Sequence, residues 1–247
     1  MPHRNDPYPG ETVKSVFICT LPRTGSSLLA ADMRSTNALG APREFFNRPR
    51  YERLTERWNV PRGDLDAYIS KLLEKTASPN GVLGVKLMVR HLDILTKEGM
   101  LPPEPGRLRN LTKHFGDVVV VKLLRKDKLR QAISLTKAQQ TGKWGVLKEQ
   151  TAEPFFDREA LIANLVRIVE DEAMWERELE ASELTPSITI DYEDIPPARE
   201  ELLLEIAELL ELPDAAEIVA NRDREDVKLQ KQSDSLTEEW YDRFING

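Results

Sequence analysis

Four short runs of apolar residues stand out along the chain. Ser15–Leu21, Val82–Met88 and Asp117–Leu124 are rich in Val, Ile and Leu, and Ser187–Tyr192 repeats the pattern more weakly. Apolar runs of this length without strict alternation predict strands covered on both faces, as in a parallel sheet. Between them apolar positions recur at helical spacing. A helix follows the first strand from Leu28. Further helices are predicted over Asp64–Ala77, Leu129–Thr141 and Glu159–Leu184, the last from Leu161, Leu165, Ile168, Val169 and Ala173. Pro197–Leu212 predicts a surface helix whose glutamates form a solvated face, and Leu236–Ile245 closes the chain. Strands alternating with helices predict an α/β fold with a mostly parallel sheet. Residues 1–14, polar with three prolines and one glycine, predict a flexible arm, and residues 15–247 a single domain. The Leu101–Gly106 segment predicts a loop inside that domain, because the alternation resumes after it.

The loop after the first strand changes the picture from fold to chemistry. Leu21-Pro22-Arg23-Thr24-Gly25-Ser26-Ser27 sits between a buried strand and a helix start. Backbone N–H groups at such a helix start point outward, and the helix dipole favours an anion there. Gly25 lets the backbone approach closely, while Arg23 adds charge and Ser26 and Ser27 add hydroxyls. The nucleotide triphosphatase loop G-x-x-x-x-G-K-[ST] is not matched: Thr20 stands at its first Gly and Ser26 at its Lys. The loop taken alone leaves two readings open, an anion site or a helix capped by Ser26 or Thr24. A second basic element follows the third strand, where Arg125 precedes Asp127 and Ser134. A guanidinium and a hydroxyl there can converge on one phosphate. The simpler alternative is a helix start capped by Asp127.

Composition narrows the setting. The chain has 247 residues, 40% of them hydrophobic and 31% charged, which supports a substantial core. The formal net charge of −7 disfavours nucleic acid as a partner. Cys19 is the one cysteine, so there is no intrachain disulfide and no multi-thiolate metal site, and its place in a strand predicts packed core. No apolar run reaches the roughly 18 residues of a membrane span, and Met1–Lys14 lacks the apolar stretch of a signal peptide. The expected location is cytoplasmic.

Several motifs, in order, carry a resemblance. Pro22-Arg23-Thr24-Gly25-Ser26-Ser27 resembles the 5′-phosphosulfate loop of sulfotransferases. Arg125 with Ser134 resembles their 3′-phosphate element. Gly40-Ala41-Pro42-Arg43-Glu44-Phe45-Phe46, Gly84-Val85-Lys86-Leu87-Met88, Gln131-Ala132-Ile133-Ser134, Gln140–Trp144, Asp191-Tyr192, Lys231-Gln232-Ser233-Asp234 and Glu239-Trp240 are similar to segments of the bacterial trehalose 2-sulfotransferase family, grouped with nodulation-type lipooligosaccharide sulfotransferases. The resemblance spans about residues 15–245. It implies a P-loop-like three-layer fold with a central mostly parallel sheet flanked by helices.

It also implies transfer of a sulfuryl group from 3′-phosphoadenosine 5′-phosphosulfate (PAPS) to a carbohydrate or glycolipid hydroxyl, leaving 3′-phosphoadenosine 5′-phosphate (PAP). No metal is needed for this, and a homodimer is expected. On the family's pattern, Arg23, Thr24, Gly25, Ser26 and Ser27 hold the 5′ end of the donor, with Arg23 also serving catalysis. Arg125 and Ser134 hold the 3′-phosphate. Lys231 and Gln232 close over the nucleotide, with Lys231 replacing a fork-shaped Arg by a point charge.

Glu44 takes the place of the general base, where a carboxylate can accept the hydroxyl proton. The simpler reading of Glu44 is a surface pair with Arg43 or Arg48. Phe45 and Phe46 are candidates for an acceptor wall or for core. Lys86 is a candidate to face the transferring group or to lie along an edge, and His91 is the second choice for the base. Two rival functions are a kinase with a degenerate loop and a non-catalytic nucleotide- or sugar-binding relative. Stabilisation by PAP without Mg²⁺ opposes the first, and sulfate transfer opposes the second.

Overall fold

The computed structural model describes residues 14–144, 150–223 and 235–247. Its centre is a four-stranded, all-parallel sheet in the order β2-β1-β3-β4, formed by β1 (Lys14–Thr20), β2 (Val82–Met88), β3 (Asp117–Leu124) and β4 (Ile188–Asp191). β1 is central, pairing with β2 through Val16↔Gly84 and Ile18↔Lys86, and with β3 through Val16↔Val119 and Ile18↔Val121. It starts one residue before the expected arm boundary because Lys14 is already in register with Val82 and Asp117.

Two apolar layers cover the sheet. Phe17, Cys19, Leu83, Val85, Leu87 and Val120 face a core built with α3 (Leu65–Thr76), α4 (Val89–Lys97), α5 (Arg107–Thr112) and α7 (Arg158–Ala181). Val16, Ile18, Val82, Val119, Val121 and Leu123 face the other core, built with α1 (Ser26–Ser35), α8 (Arg199–Leu209) and α9 (Ala215–Ala220). Successive side chains of a strand point to opposite faces, so an unbroken apolar run is what a sheet covered on both sides requires. α10 (Ser235–Asn246) seats Trp240 with Ile133 of α6 (Lys128–Thr141) and Leu161 of α7. In α8, Leu202, Leu203, Ile206 and Ala207 are buried, so the glutamates occupy only one face of that helix.

Three helices lie where no helix is expected from the sequence: α2 (Arg48–Trp58), α4 and α5; α9 also follows the predicted surface helix. α4 begins at the residue after β2, so no punctuation separates the two periods. α2 is mostly charged, and only Tyr51, Leu54 and Thr55 are buried on it. Among the described residues, no helix is long and apolar enough to cross a membrane.

Candidate active site

The site forms at the carboxyl ends of β1, β2 and β3, where ligands of open parallel sheets bind. The β1–α1 loop is shaped by two left-handed residues, Arg23 (φ 66°) and Gly25 (φ 77°). Gly25 is the N-cap of α1 and no side chain caps it, which removes the reading of Ser26 or Thr24 as the cap. The first helical bonds run from Leu28 and Leu29 to the Gly25 carbonyl. The N–H groups of Thr24 to Ser27 take no hydrogen-bond partner among the described residues. They form a backbone anion cradle at a helix start. The Thr24 hydroxyl points inward instead, donating to the Leu21 carbonyl (2.9 Å) and lying 2.6 Å from Thr20 Oγ1. Thr24 can therefore offer a ligand its backbone but not its side chain.

Three contacts from other elements hold this loop in shape. Gln131 Nε2 donates to the Pro22 carbonyl (2.8 Å), Trp175 Nε1 donates to the Thr20 carbonyl (2.9 Å), and Arg125 Nη1 donates to the Arg23 carbonyl (3.1 Å). The Tyr192 ring supports it from below: a Cβ on Gly25 would fall 2.4 Å from Tyr192 Cδ2. The same ring lies 4.8 Å from the Arg125 guanidinium carbon, a cation–π distance.

The two sequence elements expected at an anion meet in space. Arg23 Nε donates to Ser134 Oγ (2.9 Å), so the loop after β1 touches the helix after β3. Arg125 Nε is buried with no hydrogen-bond partner, its nearest carboxylate being Glu193 at 3.8 Å. Burial lowers the pKa of both guanidiniums, and for Arg23 the charge of Arg125 adds to the effect. Both groups thus carry charge at a cost that a bound anion would relieve. Asp127 does cap α6, accepting from the Arg130 N–H (2.8 Å). The cap leaves Arg125 free to turn toward the loop, where it reaches the Arg23 carbonyl.

A third element brings a carboxylate. The Gly40–Phe46 segment crosses the edge strand β2 at Gly84. A Cβ on Gly84 would lie 2.5 Å from Pro42 Cγ, and one on Gly40 2.5 Å from the Gly84 nitrogen. Arg43 then bridges to Val85, and the Lys86 N–H donates to the Arg43 carbonyl (3.0 Å). This register sets Glu44 beside Lys86, with Nζ 2.9 Å from Glu44 Oε1 and 3.4 Å from Ser27 Oγ. Glu44 pairs with neither Arg43 nor Arg48, and Arg48 instead bonds Glu52 (3.0 Å). Burial pushes the Glu44 carboxyl up, but Lys86 outweighs it with support from His91 and Arg50, and the net shift is downward. Glu44 is ionised at neutral pH.

His91 is buried, and burial pulls it down to about 4. Its Nδ1 accepts from the Met88 N–H (3.2 Å), which leaves the proton on Nε2, 3.9 Å from Glu44 Oε2. The imidazole is neutral at pH 7 and lies beside Glu44, beyond hydrogen-bond distance.

Phe46 is a correction to the acceptor-wall reading. It is fully buried and packs against Tyr68 and Phe115 in the core, whereas Phe45, 2% exposed, also lines a cavity beside the segment. Cys19 is fully buried, and burial pushes its thiol well above the usual range. Lys231 and Gln232 lie outside the described residues. Tyr192, Gln131, Trp175 and Thr20 support the site without being singled out as site residues in the sequence. Their signal was positional: Gln131 and Tyr192 sit inside the motif segments. Among the described residues, no group of three or more His, Cys, Asp or Glu could hold a metal ion.

With this geometry in place, comparison with known proteins gives the family. The family model described as Stf0 sulphotransferase matches residues 15–246. The chain belongs to the Stf0 sulphotransferase family. Among solved structures it is similar to the sulfotransferase domain from the curacin biosynthetic pathway, at 17% identity and TM-score 0.49 over 96% of this chain and 99% of that one. It is also similar to the sulfotransferase domain of the Synechococcus PCC 7002 olefin synthase, at 15% identity and TM-score 0.42 over 94% and 90%. Retinol dehydratase, solved with androsterone and inactive cofactor PAP, matches at 11% identity and TM-score 0.38 over 94% and 79%. No curated protein matches the chain. The chain is a sulfotransferase with an α/β fold, and the loop at Leu21–Ser27 follows a central strand of its parallel sheet.

Proposed function

We propose that this sulfotransferase moves a sulfuryl group from PAPS to a carbohydrate or glycolipid hydroxyl, with Glu44 as general base. The observation that carries this reading is Lys86, whose ammonium touches both the Glu44 carboxylate and the Ser27 hydroxyl of the anion loop. A base and an anion cradle joined by one cation are what in-line transfer to a hydroxyl needs. The free amides of Thr24 to Ser27, with Arg23, receive the 5′-phosphosulfate. Arg125, with its unpartnered Nε, and Ser134 receive the 3′-phosphate. This set fits a donor anionic at both ends.

Glu44 accepts the hydroxyl proton as the acceptor oxygen bonds to sulfur. The amides and Lys86 stabilise negative charge on the oxygen that leaves with PAP. Lys86 Nζ, 2.9 Å from Oε1, orients the Glu44 carboxylate. No step in this reading calls on a metal ion. Lys231 and Gln232 complete the nucleotide side. The protein acts as one domain from residue 15 onward, as a cytoplasmic homodimer.

Transfer of labelled sulfate from PAPS to a panel of saccharides and glycolipids tests the reading, together with thermal stabilisation by PAP in the absence of Mg²⁺. Glu44→Gln is expected to lower kcat by about 10²- to 10⁴-fold with an unchanged PAP shift. Full turnover in Glu44→Gln would remove Glu44 as the base. Stabilisation by ATP–Mg²⁺ but not PAP would replace the donor.

A further inference from the structure

A cavity of about 460 Å³ is bordered by the Gly40–Phe45 segment, the end of α1, α2 and the end of α3. Its walls include Arg34, Arg43, Arg50, Arg57 and Lys75, and no carboxylate lines it. This runs against the composition, since the chain carries 42 acidic and 35 basic residues. Chance would place acids among five cations. Lys75 has an ion pair with Glu74 at 2.6 Å, on the solvent side of α3. Arg50 and Arg57 have no ion pair among the described residues and share one face of α2 with Leu54 and Trp58, at the helical spacing i, i+4, i+7, i+8. Trp58 adds a partly buried ring to the wall. Guanidiniums and an aromatic ring lining one cavity suit a sugar bearing an anionic ester: the ring takes the sugar face and Arg forks take the ester. The volume lies within the usual range for small-ligand sites, ~300–1,000 Å³.

The cavity and the site share the segment that carries Glu44. Arg43 and Phe45, which line it, flank Glu44, and the charge of Arg50 acts on the Glu44 carboxylate. We propose that this cavity is a subsite for an anionic ester group, phosphate or sulfate, carried by the acceptor sugar away from the hydroxyl that is sulfated. The inference rests on the sulfotransferase reading of Glu44 and names the acceptor's chemical class.

The test is a calorimetric titration of the PAP-bound protein with trehalose and with trehalose 6-phosphate. A parallel arm measures co-sedimentation with phosphatidylcholine vesicles containing phosphatidylinositol. The expected result is tighter binding of the phosphorylated sugar or of the phosphoinositol vesicles than of the neutral partner. Binding of the soluble ester identifies a free saccharide as the source, and binding of the vesicles alone a lipid headgroup. In Arg50→Gln/Arg57→Gln that binding should weaken about 10-fold or more, with the thermal shift by PAP retained as proof of folding. Equal binding of charged and neutral probes by the wild-type protein, or an unaltered preference in the double variant, would overturn the subsite. The same pairs are then offered as acceptors with labelled PAPS. Transfer without any dependence on Arg50 and Arg57 would sink the subsite and leave the sulfotransferase reading intact. Ester binding lost in the double variant, with no transfer to any acceptor, would keep the subsite and sink that reading.

Discussion

The loop at Leu21–Ser27 and the segment at Gly40–Phe46 both deliver chemistry to one site, but by different means. The loop works through its backbone. Its N–H groups are presented by local conformation, with Arg23 and Gly25 in the left-handed region and α1 beginning at once. Its serine and threonine side chains matter less, and the Thr24 hydroxyl is turned inward. The Gly40–Phe46 segment works through one side chain, Glu44, placed by contacts far away in sequence. Gly40 and Gly84 must lack a Cβ for the segment to lie against β2, and Lys86 must then reach back to Ser27. A backbone device is written in adjacent residues; a side-chain device depends on the register of two distant segments.

This contrast can be broken or sharpened by substitution. Gly25→Ala should have the largest effect. It places a methyl on a φ of 77° and 2.4 Å from Tyr192 Cδ2, so the cradle and its supporting ring must part. Thermal stabilisation by PAP is expected to disappear and transfer to fall by about 10²-fold or more, as a lost set of anion donors implies. Normal PAP binding in this variant would mean the cradle is not the donor site.

Gly84→Ala should act on the other device. The new methyl would meet Pro42 at 2.5 Å, pushing the Glu44 segment off β2. Overpacking of this kind costs about 1–3 kcal/mol, readable by denaturant unfolding. Turnover should drop more than PAP binding does. If both fall equally, the two regions are not separable as described.

The smallest effect is a pH dependence of stability from His91. Its pKa moves from 6.5 in the unfolded chain to about 4 when folded. The folded state therefore binds fewer protons in that window, and stability falls as pH drops from 6.5 toward 4. Between pH 7 and pH 5.5 the loss from this group alone is about 1 kcal/mol. Denaturant titrations at the two pH values should show it, and His91→Gln should remove it. A wild-type difference that persists in His91→Gln would assign it to other groups.

Much of the fold was legible because its strands are covered on both faces. Four apolar runs announced the four strands within about a residue, and alternation with helices gave the parallel arrangement. α2 and α4 were not legible. α2 buries few residues, and α4 follows β2 without a break. The anion loop was legible from its own residues as a candidate. Glu44 stood out only through resemblance, since a glutamate between arginines reads equally well as a surface pair. Phe46 shows the limit most clearly, because an aromatic residue beside the Glu44 carboxylate can equally wall a ligand or fill a core. Packing against Tyr68 and Phe115 decided for the core.

The sequence by itself determined the strands, the α/β class and the loop that opens α1, because each follows from the periodicity or local conformation of neighbouring residues. Tertiary structure alone decided that Arg23 meets Ser134, that Lys86 joins Glu44 to Ser27, and that Arg50 and Arg57 share a cavity free of carboxylates. Those contacts join residues brought together by sheet order and by glycine-permitted close approach. No local pattern of side chains encodes such distances.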